Sequence, residues 1–162
     1  MPKIAIFVDV QNIYYTVKEA FGCHFNYREL WRQVSLEGDI VLANAYAIDR
    51  NNAQQRNFQE TLRNIGFDIK LKPYIQRSDG SAKGDWDVGI AIDVMDAAAS
   101  ASGGVDRVVL LSGDGDFDML LRRVGQDGKV QTLVYGASAL TAQSLIEAAE
   151  TYRPIDGPLL LR

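Results

Sequence analysis

Short apolar runs rich in β-branched residues alternate along this chain with stretches of helical period, and this constrains the fold more than any other feature. Residues 3–9 (KIAIFVD) form a near-continuous apolar run, the pattern of a strand buried on both faces. A helix is predicted over 12–21, with Gln11 or Asn12 near its start. A second helix is predicted over 27–35, where Asn26 supplies a cap and Glu29 takes the third helical position. Residues 40–48 form a strand, 51–65 a helix stopped by Gly66, and 67–72 a more exposed strand of alternating polarity. Residues 73–84 have no period and carry turn residues, so they form a long loop of the kind that carries function. A helix over 86–101, a strand over 106–112, a helix over 116–125, a strand over 129–135 and a helix over 138–149 follow. Residues 151–155 add a short strand, and Pro154 favours an edge position. This order predicts an α/β protein: three α/β/α layers around a mostly parallel central sheet. Ligands of such sheets bind beyond the carboxyl ends of the strands, where strand order reverses.

A chain of 162 residues with 47% apolar content supplies one core, so residues 1–162 are expected to form a single domain. One cysteine and one histidine exclude a disulfide scaffold and a Cys/His zinc site. A Ser-His-Asp hydrolase would depend on His24 alone. The net charge of −4 argues against a protein held to nucleic acid by bulk charge. The apolar run at residues 4–8 is too short for a signal peptide, and nothing approaches 18 apolar residues in a row. A cytoplasmic protein with no membrane partner is expected.

The strand ends are acidic. The first strand closes on Asp9. The strand over 106–112 closes on Ser112 and runs into Gly113-Asp114-Gly115-Asp116-Phe117-Asp118. Residues 84–118 hold eight aspartates and one basic residue, whereas residues 50–83 hold seven basic residues and three acids. Two unit charges about 4 Å apart repel by roughly 4 kcal/mol at an effective dielectric near 20, and a divalent cation removes that penalty. Ligand sets made only of oxygen suit Mg²⁺ or Mn²⁺, ions that meet substrate phosphates. Aspartates also cap helices, and Asp114, Asp116 and Asp118 are each open to that reading. Asp9 is harder to dismiss, because a carboxylate closing a buried strand needs a partner. On a helical wheel, Asp87 flanks an expected inward stripe of Val88, Ala91, Ile92 and Met95. Asp93 falls opposite that stripe, on a solvated face, and Asp85 and Asp96 read as surface charges.

F-V-D-V-Q-N at residues 7–12, K-G-x-x-D-V at 83–88 and L-S-G-D-G-D-F at 111–117 together resemble the NYN domain, a branch of the PIN-like nuclease superfamily, in its bacterial LabA-like form. The resemblance spans nearly the whole chain, and S-G-D-G-D-F is its most specific piece. It implies a PIN-like fold and a ribonuclease dependent on Mg²⁺ or Mn²⁺. Asp9, Asp87, Asp114 and Asp116 would form the catalytic and metal-binding site, supported by Asn12 and Ser112. Asp118 and Asp93 match acidic positions of related sequences and are further supporting candidates. Water would hydrolyse an RNA phosphodiester, leaving a 5′-phosphate and a 3′-hydroxyl. Lys83, four residues before Asp87, is the candidate to neutralise a phosphate. Lys70, Lys72 and Tyr74 share one strand face, and Arg77 and Lys83 follow, a set suited to single-stranded RNA; lysines that protect an edge strand look the same. Of Tyr14 and Tyr15, one is expected at the site and the other in the core. Trp31 and Trp86 read as packing residues, Arg122 and Arg123 as solvated, and Cys23 and His24 receive no role. A homodimer would lengthen the short groove of one domain, although no interface is readable.

Two other readings stay open. A phosphatase of the haloacid dehalogenase type shares the G-D-G-x-x-D string but needs a second Asp where this chain has Gln11, and it lacks the D-G-T that should follow. A catalytically silent regulator that binds RNA or protein would keep the same fold. An EF-hand fails at Met119 and Gly125, and no G-x-G-x-x-G follows the first strand.

Overall fold

β1 (Lys3–Asp9) lies inside a six-stranded sheet whose neighbouring strands all run parallel. The structure, a computed structural model, describes residues 1–73, 75–76, 82–83, 85–99 and 103–162, without the side chains of 75, 76, 82 and 83. After β1 come α1 (Val10–Phe21), β2 (His24–Phe25), α2 (Tyr27–Ser35), β3 (Asp39–Asp49), α3 (Ala53–Ile65) and β4 (Asp68–Pro73). Then follow β5 (Ile75–Gln76), β6 (Ala82–Lys83), α4 (Asp87–Ala98) and β7 (Arg107–Leu111). A 3-10 turn (Gly115–Phe117) leads into α5 (Asp118–Val124), β8 (Gln131–Gly136), α6 (Gln143–Ala148), β9 (Thr151–Pro154) and β10 (Leu160–Leu161). The sheet order is β4-β3-β1-β7-β8-β9, so the chain builds outward from β1 first in one direction and then in the other. The reversal falls between β1 and β7, and it fixes where a ligand crevice opens.

The two-residue period of β1 divides the core. Ile4, Ile6 and Val8 join Ile13 and Val17 of α1, Leu30 and Val34 of α2 and Leu62 of α3 on one face. Ala5 and Phe7 join Ile90 and Val94 of α4 and Leu121 and Val124 of α5 on the other. Each fully buried large side chain among them contributes about 1.5–3 kcal/mol. Glu37 fastens the first layer to the sheet's edge: its carboxylate accepts from Arg153 at 2.6 and 3.0 Å and from Arg107 at 3.3 Å. Those guanidinium groups, Arg153 foremost, hold the Glu37 carboxyl below the usual range.

Several expectations need correction. α1 starts at Val10 because Asp9 itself caps it, ahead of Gln11 and Asn12. α4 buries Ile90 and Val94, with Met95 partly buried on the same core, whereas Val88 and Ile92 of the expected stripe are 72% and 55% exposed. α4 is apolar nearly all round, so the wheel offered no clear inward face. Only the last part of the helix expected over 138–149 forms. Ahead of it, the Ala142 N–H donates to Gly113 O at 2.9 Å, which holds the chain out of a helix there. Residues 73–84 are not wholly irregular, since β5 and β6 pair antiparallel. β2 and β10 also pair, and two-residue strands leave no sequence pattern. Among the described residues, no helix is long and apolar enough to cross a membrane.

Candidate active site

The ends of β1 and β7 lie side by side; β1 runs directly into α1, and β7 reaches its 3-10 turn after three residues, Ser112 to Asp114. Asp9 closes β1, two residues after Phe7 and therefore on the face covered by α4. Its Oδ1 accepts from the Asn12 N–H at 3.4 Å. The Asn12 side chain in turn accepts from the Gly113 N–H at 2.8 Å, a link across 101 residues that ties the two turns together. Buried Ser112 accepts from the Asp114 N–H at 3.1 Å, and Asp114 accepts from the Asp116 N–H at 2.9 Å. Gly113 and Gly115 are required by close approach: a Cβ on Gly113 would sit 2.5 Å from Leu140 O, and one on Gly115 2.9 Å from the Ala142 Cβ.

The start of α4 completes the cluster. Carboxylate oxygens of Asp87, Asp114 and Asp116 lie within 4.8 Å of one another, and these three could hold a metal ion. Asp9 stands beside this trio and acts on it through its charge. Burial pushes the Asp9 carboxyl up to about 6, opposed by the Asn12 N–H and raised further by Asp114. Burial also pushes Asp87 up to about 7, and the charges of Asp114, Asp85 and Asp9 add to that rise. Asp87 thus holds its proton because it is buried among like charges. The donor set is all oxygen and its ionised form is strained by repulsion, which fits a hard divalent cation.

The remaining candidates lie elsewhere. Asp118 pairs with Arg122 at 3.6 Å. Asp93 accepts from the Tyr46 hydroxyl at 2.7 Å, and Tyr46 accepts from Asn44 at 3.1 Å, so Asp93 is half-buried against β3 rather than on a solvated face. Lys70 is exposed on the edge strand β4, in one rung with Tyr46 and Asp9. Two strand spacings put it about 10 Å from β1. Lys72 is engaged, donating to Asp85 O at 3.0 Å with its ammonium 4.5 Å from the Trp86 ring. Tyr74 and Arg77 lie outside the described residues, as does the Lys83 side chain, whose backbone pairs with Ile75. Tyr14 and Tyr15 are both exposed, so neither enters the core. Gln11, where a dehalogenase-type phosphatase needs an acid, is exposed on α1.

Asp85 was missed. Its Oδ1 accepts from the Asp87 N–H at 3.1 Å, and its charge reaches both Asp9 and Asp87. Its spacing of two before Asp87 is that of a side chain bonding the backbone two residues on, and that was the available signal. Asn12→Ala is expected to lower stability by about 1–3 kcal/mol, because it strands the N–H of buried Gly113. Urea unfolding measures this, and an unchanged midpoint would show that the link adds nothing to stability.

Fold and site together define a three-layer α/β protein with an acidic centre at the switch point of its sheet, consistent with the PIN-like fold. The NYN domain model matches residues 3–156, and the chain belongs to that nuclease-like family. It is 26% identical over 158 residues to low amplitude and bright protein LabA of Synechococcus elongatus, covering 93% of this chain and 82% of that protein. It also resembles a crystal structure of a protein of unknown function from Vibrio parahaemolyticus. There the identity is 50%, the TM-score 0.90, and the coverage 99% of this chain and 96% of the other.

Proposed function

We propose that this protein is a ribonuclease dependent on Mg²⁺ or Mn²⁺ that hydrolyses phosphodiester bonds of single-stranded RNA. The observation that carries this reading is the convergence of Asp87, Asp114 and Asp116 within 4.8 Å, beside a buried Asp9, at the sheet's switch point. Asp9, Asp87, Asp114 and Asp116 would hold a divalent ion, which would supply Lewis acidity to water and offset charge on the scissile phosphate. Asn12 and Ser112 fix the two turns that present those carboxylates. Lys70, on β4, offers a cation to a flanking phosphate, and the residue types of Lys83 and Arg77 suit the same role. Cleavage breaks the bond from phosphorus to the 3′ oxygen, leaving a 5′-phosphate and a 3′-hydroxyl.

End-labelled single-stranded RNA, incubated with the protein in Mn²⁺ or in EDTA, tests the reading. Cleavage in Mn²⁺ that disappears in EDTA and leaves 5′-phosphate ends is expected. No cleavage of any of several RNAs would overturn it in favour of a silent binding protein, whereas release of phosphate from a small ester would indicate a phosphatase.

A further inference from the structure

We propose that the exposed rings of Tyr14, Tyr15 and His24, with Lys18 beside them, form a base-stacking subsite for the RNA strand that passes over the acidic centre; this rests on the nuclease reading above. Tyr14 and Tyr15 are 42% and 52% exposed, and His24 and Lys18 are exposed as well. The Tyr14 ring stacks on His24 at 5.7 Å and 25°, and it meets Tyr15 edge-on at 5.3 Å. Lys18 Nζ lies 5.5 Å from the Tyr14 ring centre.

Other aromatic clusters among the described residues are built differently. Phe25, Tyr27 and Phe67 are buried and lock together with Trp31 and Phe58. Buried Tyr46 packs on Trp86, and the Trp86 Nε1 donates to Ala47 O. Among the described residues, only the Tyr14 cluster leaves every ring in water. The rings are already held against one another, so a base stacking there orders little additional side chain.

Position and charge give the occupant. α1 begins at the turn capped by Asp9, and Tyr14 and Tyr15 follow five and six residues later. At about 1.5 Å per residue they stand roughly 7–9 Å along the helix from Asp9, within reach of nucleotides flanking a bond held at the carboxylates. A chain of net charge −4 draws little affinity from bulk attraction to phosphate. Stacking needs no net charge and tolerates any base, while Lys18 adds a local cation. Paired bases in a duplex hide their faces, so the surface selects unpaired strands.

Fluorescence anisotropy with a labelled short oligouridylate in EDTA measures binding without turnover. Tyr14→Leu and Tyr15→Leu are each expected to weaken binding about 5- to 150-fold, while the phenylalanine variants keep it. An oligomer with an abasic site should bind the parent more weakly but lose little further with the leucine variants. Leucine variants that bind like the parent would overturn the proposal, as would a parent that cleaves RNA without ring-dependent binding; in the second case the nuclease reading survives. Ring-dependent binding without cleavage in Mn²⁺ would keep the subsite and overturn the nuclease reading.

Discussion

Asp114→Asn is expected to slow Mn²⁺-dependent RNA cleavage at least about 100-fold while leaving the fold intact. Asp114 is the hinge of the cluster: it accepts from the Asp116 N–H, its carboxylate lies within 4.8 Å of those of Asp87 and Asp116, and its charge raises both Asp9 and Asp87. Asparagine keeps the side chain's size and one oxygen, so the turn survives and the charge is lost. Asp116→Asn should cost less, because Asp116 is exposed and linked to Asp114 through its own N–H rather than its carboxylate. Asp118→Asn should stay within about threefold of the parent, because Asp118 faces Arg122 and such exposed pairs are worth little. Initial rates on one RNA under one Mn²⁺ concentration rank the three variants. Full activity in Asp114→Asn would move the chemistry away from this cluster.

The second expectation concerns the metal-free protein. The folded carboxyls of Asp9 and Asp87 titrate near 6 and 7, against 3.8 for the unfolded chain. Between those values the folded state keeps protons that the unfolded state has released, so stability falls as pH rises through about 4 to 7. Every tenfold tightening of a proton's hold in the folded state is worth about 1.4 kcal/mol, and solvent screening at half-buried Asp87 reduces the pair's total to roughly 2–4 kcal/mol. Glu37 works in the opposite sense. Its lowered carboxyl adds stability above the usual carboxylate range and loses it as pH falls through the folded value. The metal-free melting temperature should therefore peak near about pH 4. Asp87→Asn should melt above the parent at about pH 8 in EDTA and gain less from Mn²⁺. The parent should gain more from Mn²⁺ at about pH 8 than at about pH 5, where protons compete for the ligands. A melting temperature flat from about pH 5 to 8 in EDTA would contradict the proton-holding site.

Asp9, Asp85, Asp87, Asp114 and Asp116 raise one another's carboxyls by mutual repulsion, which costs the fold energy. The rigid parts around it resist that repulsion. Asn12 bridges the two turns, and the segment at 140–142 packs on glycines that leave no room for a Cβ.

Local rules made much of this legible. Unbroken apolar runs in 3–9 and 106–112 located the inner strands, because a strand buried on both faces must be apolar throughout. Asn26 and Gly66 bound their helices as expected, since caps act within one turn of backbone. Asp9 and the S-G-D-G-D-F turn were readable as acidic strand ends, because strand order in an α/β protein decides which ends face a ligand.

Tertiary structure decided the rest. α4 carries apolar residues around its circumference, so only its packing against the sheet could select Ile90 and Val94 over Val88 and Ile92. That rotation also turned Asp93 toward Tyr46 and brought Asp87 to Asp114. Residues 138–142 have helix-forming side chains, yet the Gly113 carbonyl captures the Ala142 N–H and holds them in a tighter path. The sequence offers Lys72 as an RNA-binding candidate and Asp118 as a supporting acid, but in the fold Lys72 engages Asp85 O and the Trp86 ring and Asp118 pairs with Arg122. In each case, local chemistry offered more than one low-energy arrangement, and contacts between residues far apart in the chain selected one.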